Sequence, residues 1–375
     1  MLDLTSIFVI AGIFLGLVVG DAALFGDPVQ VQISVPSKVS ATGFTETAAE
    51  ELFAAHVADL GQVLSIVQTP SVQISARPTI LAALAKPLNL DNVVVALQSQ
   101  VGIDVVTVHA VMLADTTGNR LDMLTVVSMP REVPVQFRLS QENGDAAALV
   151  QRSAELAMEF VSPYRLALTQ FTKGFNGDAA ALTQAKQIAT RAVSRPWVPA
   201  RASEQVMLHN LLAMVALLDG DDATVQAQFR LTDPIPNAQA SAHGVVELNR
   251  SFLDVAARRL PEAEQHYKAG RAMTASVHLG GWDARVRTLG ALVAWARGDL
   301  TQAEALLHEA IALAPEDESP HFYLAQLLAA KGDTAGAAAE RTAAANAHRF
   351  DIEVPAQSQS LFWVDPVNGG LKRRG

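Results

Sequence analysis

The sequence predicts an α+β chain: an N-terminal transmembrane helix, then a small mixed α/β domain, then a C-terminal all-α solenoid of helical hairpins. Three observations carry this reading. An uncharged run of seventeen residues stands near the N-terminus, two-residue alternation marks the segment after it, and positions recur at one fixed shift toward the other end. The implied divisions are an anchor over 1–27, an α/β domain over 28–142, a helical array over 143–351 and an extended tail over 352–375. A chain of 375 residues exceeds the usual single-domain size, in keeping with several units.

Leu4 to Gly20 is the uncharged run, and Ala22 to Gly26 extends it past Asp21. Seventeen residues is the lower limit for crossing a hydrocarbon core, so the expectation is an uncleaved single-pass anchor. A cleaved signal peptide is the rival reading, but it would carry Lys or Arg early, and only Asp3 precedes the run. Gly12, Gly16 and Gly20 share one helix face, where small residues let a second transmembrane helix approach. The short N-terminus and the acidic stretch after the span place the bulk of the chain outside the cytoplasm. In a bacterium that means an inner-membrane protein with a periplasmic soluble part.

Val29 to Val35 alternates as a half-buried strand, ended by Pro36. A helix follows, with Leu52, Phe53, His56, Leu60, Val63 and Leu64 near one face. Val72 to Ala76 reads as a short strand and Asp91 as a helix N-cap. Ile103 to Leu113 and Leu121 to Met129 form a hairpin around the turn residues 115–119, and Val133 to Leu139 adds a strand. His109 lies in the first hairpin strand without a catalytic companion.

From Asn143-Gly144-Asp145 onward the period is helical. Ala291 and Ala325, Gly298 and Gly332, Asp299 and Asp333, Ala303 and Ala337, and Ala310 and Ala344 all stand at the same separation. The chemistry explains which residues recur. Alanines let two antiparallel helices approach, glycine supplies the positive φ of the turn, and aspartate caps the next helix. Leu307 fills the space between helices and Pro315 ends the second one.

These positions and their shared interval resemble the tetratricopeptide repeat, a helix–turn–helix unit of about 34 residues. The resemblance is good over Ala284 to Asp317 and partial over Glu318 to Asp351, where Arg341 and Arg349 replace an apolar residue and a proline. Weaker units are Gly244 to Val277, with Ala263 and Tyr267, and Val206 to Gln239, with Ala213, Gly220 and Phe229. Asp145 to Ser194 supplies an irregular hairpin, and its Phe160 to Ala167 segment resembles a junction in membrane-anchored bacterial repeat proteins. The resemblance implies a protein-binding groove, with Asn210, Asn249, Arg250, Arg285, Arg287 and Gln326 as candidate groove residues.

Other chemistry is thinly represented. A net charge of −10, from 38 acidic and 28 basic side chains, argues against nucleic acid. With no cysteine, disulfides, thiolate metal sites and cysteine nucleophiles are excluded. The nine histidines include no pair four residues apart, and the phosphate-loop, dinucleotide and nucleophile-elbow motifs are absent. Asp219-Gly220-Asp221-Asp222 reads as a turn rather than a calcium loop. No catalytic residue, cofactor or metal is expected. In the tail, Leu361-Phe362-Trp363-Val364 is the one apolar cluster, either folded back on the last repeat or offered to a partner.

The function these readings support is a membrane-anchored scaffold or accessory subunit that mediates protein–protein interactions in a membrane complex, and not an enzyme. The alternative is an envelope sensor or signalling adaptor with ligand recognition in the α/β domain.

Overall fold

The computed structural model describes residues 29–60, 106–116, 119–129, 132–196, 201–277, 280–347 and 358–373. It divides into two compact units, with the division falling at Thr169.

The first unit is a four-stranded sheet with helices. Its elements are β1 (Val29–Ser34), α1 (Ser37–Ser40), α2 (Glu46–Leu60), β2 (Val106–Ala114), β3 (Arg120–Ser128), β4 (Val135–Glu142) and α3 (Ala146–Val161). Strand order is β1-β2-β3-β4, the first pair parallel and the others antiparallel. The alternation in the sequence sets which face is covered. Ile33, Val108, Ala110, Met112, Leu121, Met123 and Val127 are buried, and α2 and α3 pack on the sheet through Phe53, Val57, Leu149 and Val150.

Between β3 and α3, the hydroxyls of Thr125 and Ser153 meet at 2.8 Å with both residues fully buried, so neither polar group lacks a partner. At the top of β1, the Ile33 and Val35 amides donate to Glu50 and Glu46 of α2. The helix after Asp145 therefore belongs to the sheet unit: Asp145 caps it, and its apolar face lies on β3 and β4. The strand read at 72–76 and the helix read from Asp91 lie outside the described residues.

The second unit is helical. After α4 (Pro163–Phe175), within which the division falls, come α5 (Ala179–Val193) and four antiparallel pairs. These are α6 (Ala202–Leu218) with α7 (Asp222–Thr232), α8 (Ala240–Ala256) with α9 (Leu260–Met273), α10 (Gly280–Ala296) with α11 (Leu300–Leu313), and α12 (Glu318–Ala330) with α13 (Thr334–Asn346). The first helices adjoin one another, and each second helix packs on the first helix of the next pair. The first helices form the inner layer: α6 buries nearly every side chain from Val206 to Leu217. Second helices bury only a stripe, such as Ala303, Leu307 and Ala310 of α11.

Turn chemistry is regular. Gly177, Gly220, Gly298 and Gly332 each take positive φ, and the aspartate after each accepts the N3 amide of the next helix at 2.8 to 3.0 Å. The α8–α9 turn has the same backbone path with Arg258 in the left-handed position, φ 60°, and no side-chain cap. Three pairs are also clamped across the hairpin by side chains nineteen residues apart: His209–Gln228, Glu247–His266 and His321–Glu340.

The anchor reading is corrected. Among the described residues no helix is long and apolar enough to cross a membrane. The longest of them have seventeen residues and spend their apolar faces on neighbouring helices, whereas a span needs about twenty apolar residues. The segment over 1–27, with Gly12, Gly16 and Gly20, lies outside the described residues. Single-pass anchoring, an inner-membrane and periplasmic location and partnership through a transmembrane helix are therefore not carried forward. What stands of the fold class is a small mixed sheet followed by a long helical region.

Candidate functional site

The tail folds as a small hairpin. It consists of α14 (Ser358–Leu361), β5 (Phe362–Val364) and β6 (Leu371–Arg373), the two strands antiparallel. Asp365 organises the turn. Its carboxylate accepts the amides of Val367 and Asn368 and the Asn368 side chain, which leaves Gly369 and Gly370 to turn the chain at positive φ. Burial pushes the Asp365 carboxyl up, but these hydrogen bonds and the nearby Arg258 charge prevail and hold it below its ordinary value.

The hairpin is seated on the inner layer of the array, against α8, α12 and the turn that follows α8. Leu361, Phe362 and Val364 are buried. Trp363 stacks on Phe322 with ring centroids 3.7 Å apart and meets Tyr323 edge-on at 5.4 Å. Tyr323 is itself buried, and its hydroxyl oxygen accepts the Val364 amide at 3.0 Å. At the other end the Gly370 amide donates to the Ala256 carbonyl at 2.7 Å. Arg258 donates through one nitrogen to the carbonyls of Pro366 at 2.6 Å and Ala296 at 3.4 Å. The fit at Gly369 is steric, since a Cβ there would stand 2.6 Å from the Ala256 carbonyl oxygen.

Beside this seat lies a groove of about 770 Å³ lined by Leu253, Asp254, Arg259, His266, Gly370 and Leu371. Its ions are coupled. His266 sits 2.5 Å from Glu247 and 3.7 Å from Asp254, and Asp254 accepts both Nε and Nη2 of Arg259. The hydrogen bond to Glu247 raises the His266 pKa against the effect of burial, with the two carboxylate charges adding. Burial prevails at Asp254 and raises it, whereas at Glu247 the His266 and Arg250 contacts outweigh burial and lower it.

The candidate groove residues are dispersed. Asn210 and Asn249 are buried, and Asn249 Nδ2 donates to Asn210 Oδ1 at 2.8 Å, tying α6 to α8. Arg250 bonds Glu247, Asp233 and the Phe229 carbonyl, and its guanidinium lies over the Phe229 ring. Arg285 is buried near Asp317. Arg287 bonds Glu309 and lines a separate groove of about 640 Å³ with Tyr267, Arg271 and Arg297. Gln326 is exposed on α12.

The residues that hold the tail, Phe322, Tyr323, Ala256 and Arg258, escaped sequence reading. One signal was available for Arg258: it interrupts an otherwise regular series of glycine turns.

Compared with known proteins, no family model matches the chain, and no curated protein matches it. The tetratricopeptide assignment, and the membrane-anchored bacterial repeat protein built on it, are corrected accordingly. The geometry gives the reason. Gly298 and Gly332 keep the interval of such a repeat, but the first helices begin at Ala202, Ala240, Gly280 and Glu318, at wider intervals than that. Helix lengths and loops set the units here, and paired-helix packing is what remains of the resemblance. The membrane-complex scaffold and the envelope sensor both assumed an anchor and are withdrawn with it.

Proposed function

We propose that this chain is a protein-binding module rather than an enzyme, and that the inner helix layer of the array is the binding face. One observation carries the reading: that layer already holds a polypeptide segment. The means it uses are those of peptide recognition in general, namely an aromatic anchor in a pocket, main-chain hydrogen bonds and a charged side chain on a carbonyl. The two grooves described above are open and carry ions already paired with one another, which suits recognition better than acid–base chemistry.

Panning displayed short peptides on the full chain carrying Trp363→Ala, which takes the hairpin's own aromatic ring off Phe322, tests this. The expected winners carry an aromatic residue between apolar ones, and Phe322→Ala weakens their binding on the order of tenfold. If no peptide is enriched, or if binding is indifferent to Phe322, the reading fails.

A further inference from the structure

Resting on that reading, we propose that the C-terminal hairpin is a cis-bound occupant of the binding face, displaced by a partner protein's segment of the same chemistry. That segment carries an aromatic side chain between apolar ones on a short strand, followed by a turn that presents a main-chain carbonyl to Arg258.

Three features separate an occupant from a part of the core. First, the hairpin is foreign to the array in kind. Among the described residues its two strands pair only with each other, and a lone two-stranded hairpin is marginal in water, so its structure depends on the seat. Second, its outer side is open: Val367 is 52% exposed and Leu371 36% exposed, and Trp363 is only half-buried although its ring is stacked. Third, the array is adapted to it. The turn beneath the hairpin departs from the glycine rule of the four other turns, and the residue placed there against its backbone preference, Arg258, reaches the Pro366 carbonyl. Gly369 answers from the hairpin side, leaving room for the Ala256 carbonyl where a side chain would collide.

Occupancy in cis has a measurable consequence. A segment offered in trans sees only the fraction of molecules whose face is open, so its apparent affinity falls by that fraction. Weakening the hairpin without touching the seat raises affinity for an added segment. Trp363→Ala does this by removing the anchor, and Asp365→Ala does it by dissolving the turn.

The test is a titration of a fluorescently labelled synthetic peptide of residues 358–373 into the full chain. The expected result is binding on the order of tenfold tighter to Trp363→Ala and to Asp365→Ala than to wild type. Adding Phe322→Ala to either variant removes the gain. Equal affinity for wild type and both hairpin variants overturns cis occupancy and leaves the protein-binding reading intact. Failure of every form to bind the peptide overturns both. A wild-type chain that dimerises by exchanging hairpins, seen by size in solution, also overturns the proposal, because the occupant is then a second copy.

Discussion

Arg258→Gly should weaken the hairpin while leaving the array almost unchanged. Two effects oppose each other at this position. An L-residue in the left-handed region costs about 1–2 kcal/mol, which glycine relieves, offset by about 0.5–1 kcal/mol of extra freedom in the unfolded chain. The lost hydrogen bond from a charged donor to Pro366 would be worth about 1.5 kcal/mol if buried, and about 1 kcal/mol at this exposed residue. Only the second effect acts on docking. The urea midpoint of the array should therefore move by less than about 1 kcal/mol equivalent. The population of undocked hairpin should rise about fivefold, the factor that corresponds to about 1 kcal/mol.

Amide hydrogen exchange reads this directly. The Val364 and Gly370 amides, bonded to Tyr323 and Ala256, should exchange about fivefold faster, while α10 core amides keep their protection. Uniform loss of protection from α8 to α13 would show that Arg258 supports the array itself. Unchanged hairpin amides would show that it does not hold the tail.

Two further outcomes are expected. The raised pKa of His266 means that its stabilisation is fully present below the unfolded value of about 6.5 and is lost as pH rises through the higher folded value. The urea-midpoint advantage of wild type over His266→Gln should accordingly shrink from about pH 6 toward alkaline pH, and an advantage that grew with pH would contradict the Glu247–His266 geometry. Asn249→Ala should destabilise by about 1–3 kcal/mol by removing one partner of a buried hydrogen bond, and the double variant with Asn210→Ala should cost less than the sum of the singles. Strict additivity in denaturation would mean that the two amides do not act as a pair.

Local chemistry was legible in the sequence, as were the β2–β3 hairpin and the fold-back of Leu361–Val364 onto the last pair; the packing partners of the other elements were not. Alternation around Val29–Val35, 106–113 and 121–129 marks strands because one face of the sheet is covered, and the pairing of β2 with β3 follows from the turn residues between them. Glycine–aspartate pairs mark helix junctions because few other residues satisfy both the turn and the cap. The period of 146–161 reveals an apolar face but not what it meets, and it meets a sheet. Asn210 and Asn249 are polar on first helices, which fits a groove and also fits a buried tie between neighbours. Sequence alone does not distinguish these. The strands of the tail hairpin have three residues each, too short for any period, and they exist because Phe322, Tyr323 and Arg258 lie far upstream to receive them.

The hairpin touches the pair α8/α9 at Ala256 and Arg258 and the pair α12/α13 at Phe322 and Tyr323, with α10/α11 between them. An array of stacked hairpins unravels from its ends because each unit feels only its neighbours. A strap that skips a unit changes that. The C-terminal pair cannot peel away alone while the strap is in place, so three pairs melt as one cooperative block. Removing the strap would give the end of the array the freedom to fray unit by unit, and ligand exchange on the face would then be coupled to the mechanical stiffness of these three pairs.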